Sequence, residues 1–220
     1  MATRPSIADW RGTVGRPVPA SGPGWRRALG RSSPRVLLAA LLLGAWFSLA
    51  VANVRADSDE DRRVRAGARL FRALLAADLG LEAKAQKDGV LHVLVYRRDP
   101  KGAEDVAELI APAGDQEQNR IRGLAVQVDV TDALPTDASV HPVGVFLASA
   151  PTNDEVDRLV RWSIAQHVIV YSPFEGHVER GVTAGLAVEA KVQPFVNLST
   201  LEAADIELKP FFLKVAKVQR

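Results

Sequence analysis

Cysteine is absent from this chain of 220 residues, and methionine occurs once. Without cysteine there is no disulfide, no thiolate ligand for a metal ion and no cysteine nucleophile. The absence fits an oxidising compartment as well as a reducing one, so the location of the protein has to be inferred from other features.

Motifs that carry catalysis or bind cofactors are also lacking. There is no G-x-S-x-G element of a serine hydrolase and no H-E-x-x-H pair of a zinc-binding helix. Neither the glycines nor the histidines fall into a recognised pattern: Gly176, Gly181, Gly185, His92, His141, His167 and His177. An active site needs a nucleophile, a base and a stabilising group that converge. The sequence therefore predicts a protein that is not an enzyme, with no catalytic residue, metal site or cofactor.

A basic surface is missing from most of the chain. Residues 1–56 hold eight arginines, no lysine and one acidic residue, whereas residues 57–220 hold 20 basic and 25 acidic residues, a net charge of −5. An acidic domain has few cations with which to neutralise phosphates. We therefore expect no nucleic-acid partner.

The first 56 residues have the features of an export signal. Residues 1–35 are rich in Arg, Gly, Pro and Ser and are predicted to be disordered. Residues 36–52 are continuously apolar, and Val54 and Ala56 occupy the −3 and −1 positions of a cleavage site after Ala56. We divide the chain into a signal peptide with its leader, 1–56, and an exported domain, 57–220.

Two alternatives remain for the apolar stretch. Its 17 residues are long enough to stay in the inner membrane as an anchor, since a spanning helix needs about 17–25 residues. It could also form a buried core helix. Cleavage predicts a periplasmic protein, and retention predicts a domain tethered to the membrane by 36–52.

Strand and helix patterns alternate through residues 57–220. Apolar runs predict strands at 90–96, 124–130, 143–148, 167–171, 182–188 and 192–198, the last two forming a hairpin. Apolar residues three and four apart predict helices at 61–87 with a break near Gly80, at 101–111, 152–165 and 199–204, and from Pro210 to the end. Strand–helix–strand order favours parallel pairing. We predict one three-layer α/β domain with a mainly parallel sheet of five or six strands and C-terminal helices.

Local signals make the prediction more specific. Thr152 with Glu155, and Ser199 with Glu202, have the spacing of a capping box. Pro194 has no N–H to donate, so the strand that contains it should lie at an edge. In the last helix the apolar residues are expected to pack onto the sheet: Phe211, Phe212, Val215 and Val218.

Three polar residues follow predicted strands, namely Arg97, Ser149 and Ser172. Ligands of open parallel sheets bind at the carboxyl ends of the strands, so these residues are candidates for a small-molecule cleft. The two serines have an alternative explanation as residues that form turns and caps.

The C-terminal third resembles the YfiR-like family of periplasmic proteins. The shared pattern is V-x-V-Y-S-P, then E-R-G-V-x-x-G-L, F-V-N-L and L-K-x-A-K-V, carried by Val170, Ser172, Gly181, Val182, Gly185, Val196, Asn197, Leu198, Leu213, Lys214, Ala216 and Val218. The strand Leu91–Tyr96 with Asp99-Pro100 resembles the first strand and loop of that family.

The resemblance implies a small periplasmic α/β domain that regulates a membrane signalling protein. The founding member of the family represses an inner-membrane diguanylate cyclase. The implied partner is therefore the extracytoplasmic part of a diguanylate cyclase or a histidine kinase. A module that binds a small-molecule solute, and a homodimer, are the alternatives that the sequence leaves open.

Overall fold

The computed structural model describes residues 59–98, 103–114, 117–135 and 141–220. The predicted leader, its apolar stretch 36–52 and the cleavage position after Ala56 lie outside these residues. Within the described ranges, no helix is both long and apolar enough to span a membrane.

Helices and strands alternate from the start of the described chain. The helices are α1 at residues 59–77, a 3-10 turn at Leu81–Lys84, α2 at Ala103–Ile110, α3 at Asn153–Gln166, α4 at Leu198–Ala203 and α5 at Pro210–Val215. The strands are β1 Val90–Tyr96, β2 Arg120–Ile121, β3 Leu124–Thr131, β4 Gly144–Leu147, β5 Ile169–Ser172, β6 Ala184–Val188, β7 Val192–Asn197 and β8 Lys217–Gln219.

The eight strands form one sheet in the order β2-β3-β1-β4-β5-β6-β7-β8. Pairing is antiparallel between β2 and β3 and between β6 and β7, and it is parallel at every other step. Helical connections between neighbouring parallel strands place a helix on each face, as expected of an α/β fold. The prediction of an α/β domain with a mainly parallel sheet and a C-terminal hairpin is confirmed.

Helices cover both faces of the sheet. On one face, Leu91, Val93 and Val95 of β1 pack in a core that includes residues of α1, α2, α4 and α5. On the other face, Leu147 and the ring of Tyr96 pack with residues of α3. Because side chains alternate along a strand, each central strand contributes to both cores, and the domain has three layers.

Three aromatic rings anchor α1 to the sheet. Phe71 of α1 contacts Phe146 and Tyr171, with ring centroids 5.7 Å apart in each pair. Gly144 makes this close approach possible, since a Cβ at that position would lie 2.8 Å from the Phe71 ring. The helix ends at residue 77, and the buried Asp78 carboxylate then accepts bonds from the Gly80 N–H and the Lys84 ammonium. The predicted break near Gly80 is confirmed.

Other local predictions are confirmed as well. Both halves of the Thr152–Glu155 capping box are present at the start of α3. The hairpin between β6 and β7 is antiparallel, with Val188 opposite Val192. The second predicted strand, at 124–130, forms as β3, which has exposed polar side chains on one face and lies next to the edge of the sheet.

Corrections concern the number and ends of the strands. The sheet has eight strands, more than the five or six predicted, because short strands form at β2 and β8. His167 does not begin a strand: it caps α3 in the left-handed conformation, with φ 58°. Pro194 lies in a strand with neighbours on both sides, but β8 pairs only with residues 195–197. The missing N–H of Pro194 therefore interrupts no bond to β8.

The end of the chain differs most from the prediction. The cap of α4 is Asn197, whose Oδ1 accepts the Thr200 N–H at 2.9 Å, so the predicted Ser199–Glu202 capping box is wrong. The last helix ends at Val215, and the chain continues as a strand. Phe212 is buried as predicted, whereas Phe211, Val215 and Val218 are exposed.

Candidate functional site

The order of the strands reverses between β1 and β4. From β1 the chain crosses through α2 to β3 on one side, and it later returns to β4 on the other side of β1. Open α/β sheets bind ligands outside the carboxyl ends of the strands at such a switch point. The loops that follow Tyr96 and Leu147 occupy this position.

The loops that carry two of the three predicted site residues, Arg97 and Ser149, lie at the switch point. The Arg97 N–H donates to the Thr131 carbonyl at 2.8 Å, and the Ser149 hydroxyl accepts the Arg98 N–H at 3.3 Å. Arg97 also lines a cavity of about 80 Å³ between the N-terminal ends of α1 and α2. Ligand pockets usually measure about 300–1,000 Å³, so this cavity is too small for a typical metabolite.

An ion-pair network that the sequence analysis missed crosses the switch point. The Arg98 guanidinium donates to the Glu155 carboxylate at 2.7 Å and to the Tyr96 hydroxyl at 3.0 Å. Glu155 also accepts the Thr152 N–H at 2.6 Å. Hydrogen bonds from Thr152 hold the pKa of the Glu155 carboxyl below its usual range. The Tyr96 hydroxyl and the Glu155 carboxylate raise the pKa of the Arg98 guanidinium. The capping-box spacing was the signal that could have located Glu155 at this end of the sheet.

Ser172 lies away from that network, inside the protein. Its side chain is fully buried, its Oγ lies 2.8 Å from His177 Nδ1, and it accepts the Phe174 N–H at 3.2 Å. Burial lowers the pKa of His177, which favours the neutral imidazole. The hydroxyl has no exposed surface, so no substrate reaches it in this conformation. The structure brings Arg97 and Ser149 to one loop cluster, while Ser172 holds the turn after β5.

Acidic and histidine side chains do not gather in the described ranges. No group of three or more His, Asp or Glu residues there has an arrangement that could hold a metal ion. The nearest approach is a pair, His92 Nδ1 and Asp129 Oδ2, 3.6 Å apart on neighbouring strands.

A second region of interest is the end of the sheet formed by residues 209–220, which we call the C-terminal edge. Phe211 is 67% exposed and Val215, one turn further along α5, is 53% exposed. Val218 on β8 is 39% exposed. Three large apolar side chains within eight residues are therefore in contact with water.

The C-terminal edge is also basic. It contains Lys209, Lys214, Lys217 and Arg220 and no acidic side chain. Lys209 donates to the Ala76 carbonyl at 3.1 Å, and Lys217 is 3.0 Å from a Glu189 oxygen. Within the described part of the chain, Lys214 and Arg220 form no ion pair and are exposed. A basic segment thus lies at one end of an acidic domain.

An apolar groove adjoins this edge. It has a volume of about 300 Å³ and is lined by residues of α4 and α5 together with Leu79, which is half exposed. Pro210 and Leu213 of α5 form part of its wall. The exposed apolar surface therefore continues from α5 towards the end of α1.

No protein-family model matches the chain, and comparison with curated proteins also gives no match. Among solved structures, the ABC domain in complex with L-Trp from Streptococcus pneumonia is 12% identical, with a TM-score of 0.45 over 71% of this chain and 60% of that one. A conserved domain protein from Vibrio cholerae is 12% identical, with a TM-score of 0.41 over 63% and 57%. The chain thus spans less than two thirds of each neighbour. Similarity at this level assigns neither a family nor a ligand.

Proposed function

We propose that the protein is a non-enzymatic regulatory domain, exported to the periplasm, that binds the extracytoplasmic part of an inner-membrane signalling protein such as a diguanylate cyclase or a histidine kinase. The observation that supports it best is the C-terminal edge, where three exposed apolar side chains lie beside cations that form no ion pair with any described residue. The export signal and the YfiR-like pattern motivate the location and the kind of partner.

Grouped apolar exposure is the physical reason for a docking role. Single exposed apolar residues are ordinary on protein surfaces, whereas a contiguous patch marks an interaction site. Burying a side chain such as Phe211 contributes about 1.5–3 kcal/mol, part of which offsets the entropy lost on association. Aromatic anchors of this kind often carry most of the binding energy of an interface.

Co-purification tests this function. The chain is isolated from membranes as the wild type and as the double variant Phe211→Ser/Val215→Ser, and the proteins bound to it are identified. We expect the wild type to retain an inner-membrane signalling protein and the double variant to lose it. The matched control is Val130→Ser, which alters a 41%-exposed valine near the opposite end of the sheet. Recovery of no such membrane protein, or equal recovery with all three chains, would contradict the proposal.

A small-molecule binding module is the second candidate, because the loops that carry Arg97 and Ser149 both lie at the switch point, where the Ser149 hydroxyl accepts the Arg98 N–H. Thermal shifts measured across a panel of metabolites test it. A ligand of this region should raise the Tm of the wild type and not that of Arg97→Gln or Ser149→Ala. A flat response across the panel would dismiss this candidate.

A further inference from the structure

The sheet ends at a strand whose outer side is open. Among the described residues, β8 pairs only with β7, through Lys217, Val218 and Gln219. An edge strand presents N–H and C=O groups to solvent along its outer side. These groups are a template on which another extended segment can add a strand.

The protection that a projecting lysine gives to such an edge is weak at β8. Lysine side chains that project from an edge strand prevent unwanted pairing. Lys217 instead turns back across the sheet: its Nζ lies 4.9 Å from the centre of the Phe195 ring and 3.0 Å from Glu189, which follows β6. The lysine of β8 is thus held against its own domain.

The surroundings of the open edge indicate the chemistry of an incoming strand. Val218 and the α5 residues Phe211 and Val215 offer apolar contacts. Lys214 and Arg220 offer positive charges that no carboxylate of the described chain neutralises. An extended segment that carries both apolar and acidic side chains on the face shared with α5 would satisfy both sets of groups.

We propose that β8 receives an additional strand, supplied by an extended segment of the partner that is rich in acidic and apolar residues. This inference rests on the proposed function for the identity of the partner. It specifies which edge binds, the conformation of the bound segment and the sign of its charge.

A second copy of the chain fits this edge less well. Pairing of two β8 strands about a twofold axis would bring the basic side chains of both copies together, among them Lys214 and Arg220. Like charges that face each other across strands are destabilising. Residues 209–220 contain no acidic side chain to compensate for this repulsion.

A peptide titration tests strand addition directly. The probe is a fluorescent octapeptide in which two valines and two glutamates are repeated, so that each face of the strand carries both residue types. It is added to the full chain, and binding is followed by anisotropy. We expect saturable binding that is about tenfold weaker when the glutamates are replaced by lysines. N-methylation of alternate peptide nitrogens should weaken binding by a similar factor, because it removes hydrogen bonds to the edge.

Variants of the protein locate the binding edge. Lys214→Glu should weaken binding of the acidic probe about fivefold, whereas Lys87→Glu, an identical charge change on an exposed loop elsewhere, should leave it unchanged. Equal binding of the acidic and basic probes, no effect of N-methylation, or absence of saturable binding would each overturn strand addition. A dimer in sedimentation that Val218→Asp dissociates would overturn it in favour of self-pairing.

The result of the peptide titration can be distinguished from the result of the co-purification test of the proposed function. In one outcome, the membrane partner co-purifies in a way that depends on Phe211, while the peptide probes show no dependence on charge or on backbone N–H groups. That result would support docking at the C-terminal edge and contradict strand addition. If the acidic probe binds at β8 and no membrane partner is recovered, the edge chemistry stands and the assigned partner falls.

Discussion

The switch point and the C-terminal edge lie on the same sheet but differ in how their polar groups are used. At the switch point, Arg98, Glu155 and the Tyr96 hydroxyl bind one another. At the C-terminal edge, Lys214 and Arg220 form no ion pair within the described chain, and apolar side chains face water. The place where an α/β fold commonly binds ligands is therefore satisfied internally, whereas the C-terminal edge exposes apolar side chains beside cations that form no ion pair within the described chain.

We expect the largest loss of stability when the pairing of β5 with β6, which lie between the two regions, is disrupted. Gly185 of β6 lies opposite Ser172, and a Cβ at that position would be 2.4 Å from the Ser172 carbonyl oxygen. Because backbone is in the way, Gly185→Ala should lower the free energy of unfolding by about 3 kcal/mol. Urea denaturation measures it, with Gly114→Ala, where no atom lies within 4 Å, as the control. Equal stability of the two variants would show that the β5–β6 contact is not tight.

Replacing Ser172 and replacing Ser149, which the sequence analysis grouped together, should lower the stability of the protein by different amounts. Ser172→Ala removes the buried partner of both His177 and the Phe174 N–H, which should cost about 1–3 kcal/mol. Ser149→Ala removes one 3.3 Å bond at a half-exposed position and should cost less than about 1 kcal/mol. Denaturant midpoints of both variants check this, and equal losses would contradict the contrast.

His177 should make stability depend on pH. Its pKa is lowered by burial and by the nearby Arg180, and Glu179 opposes the shift. Between the folded pKa and the usual value of 6.5 the unfolded chain binds more protons, so stability should fall as the pH drops below 6.5. His177→Gln should flatten this slope in Tm measurements from about pH 7.5 to about pH 5. If the Tm of His177→Gln changed with pH as steeply as that of the wild type, groups other than His177 would be responsible for the pH dependence.

The smallest expected effect is a difference in Tm between variants of Arg98, which forms an ion pair, and of Lys214, which forms none within the described chain. Arg98→Gln removes bonds to Glu155 and Tyr96 and should lower the Tm slightly, more at low salt than at high salt. Lys214→Gln should leave the Tm unchanged at both salt concentrations, because Lys214 forms no ion pair in the part of the chain that the structure describes. A decrease caused by Lys214→Gln would show that this lysine supports the fold.

Most of the fold could be predicted because its signals are local and agree with one another. The mostly apolar run of β1, the alternation in β3 and the Thr152–Glu155 cap each specify an element without reference to the rest of the chain. Parallel pairing also predicted that Arg97 and Ser149 would follow strands at one end of the sheet, whereas the order of the strands, and with it the switch point, was not predicted. Ser172 was grouped with them because a position after a strand does not reveal whether the side chain turns inward.

The C-terminal edge could not be predicted from periodicity alone. The spacing of Phe211, Phe212, Val215 and Val218 fits a helix that packs onto a sheet, but only Phe212 is buried. The chain becomes extended at Ala216, with φ −87° and ψ 147°, and β8 then pairs with β7. That pairing depends on strands distant in sequence, so no local pattern reports it.

Site-specific photo-cross-linking in cells tests most directly whether the C-terminal edge binds the partner. Because the chain has no cysteine, one photoreactive cysteine adduct at a time can be placed at position 218, 149 or 130. We expect an adduct with an inner-membrane signalling protein from position 218 and none from 149 at the switch point or from 130 near the opposite edge. Cross-linking from 149 or 130 without cross-linking from 218 would contradict the account.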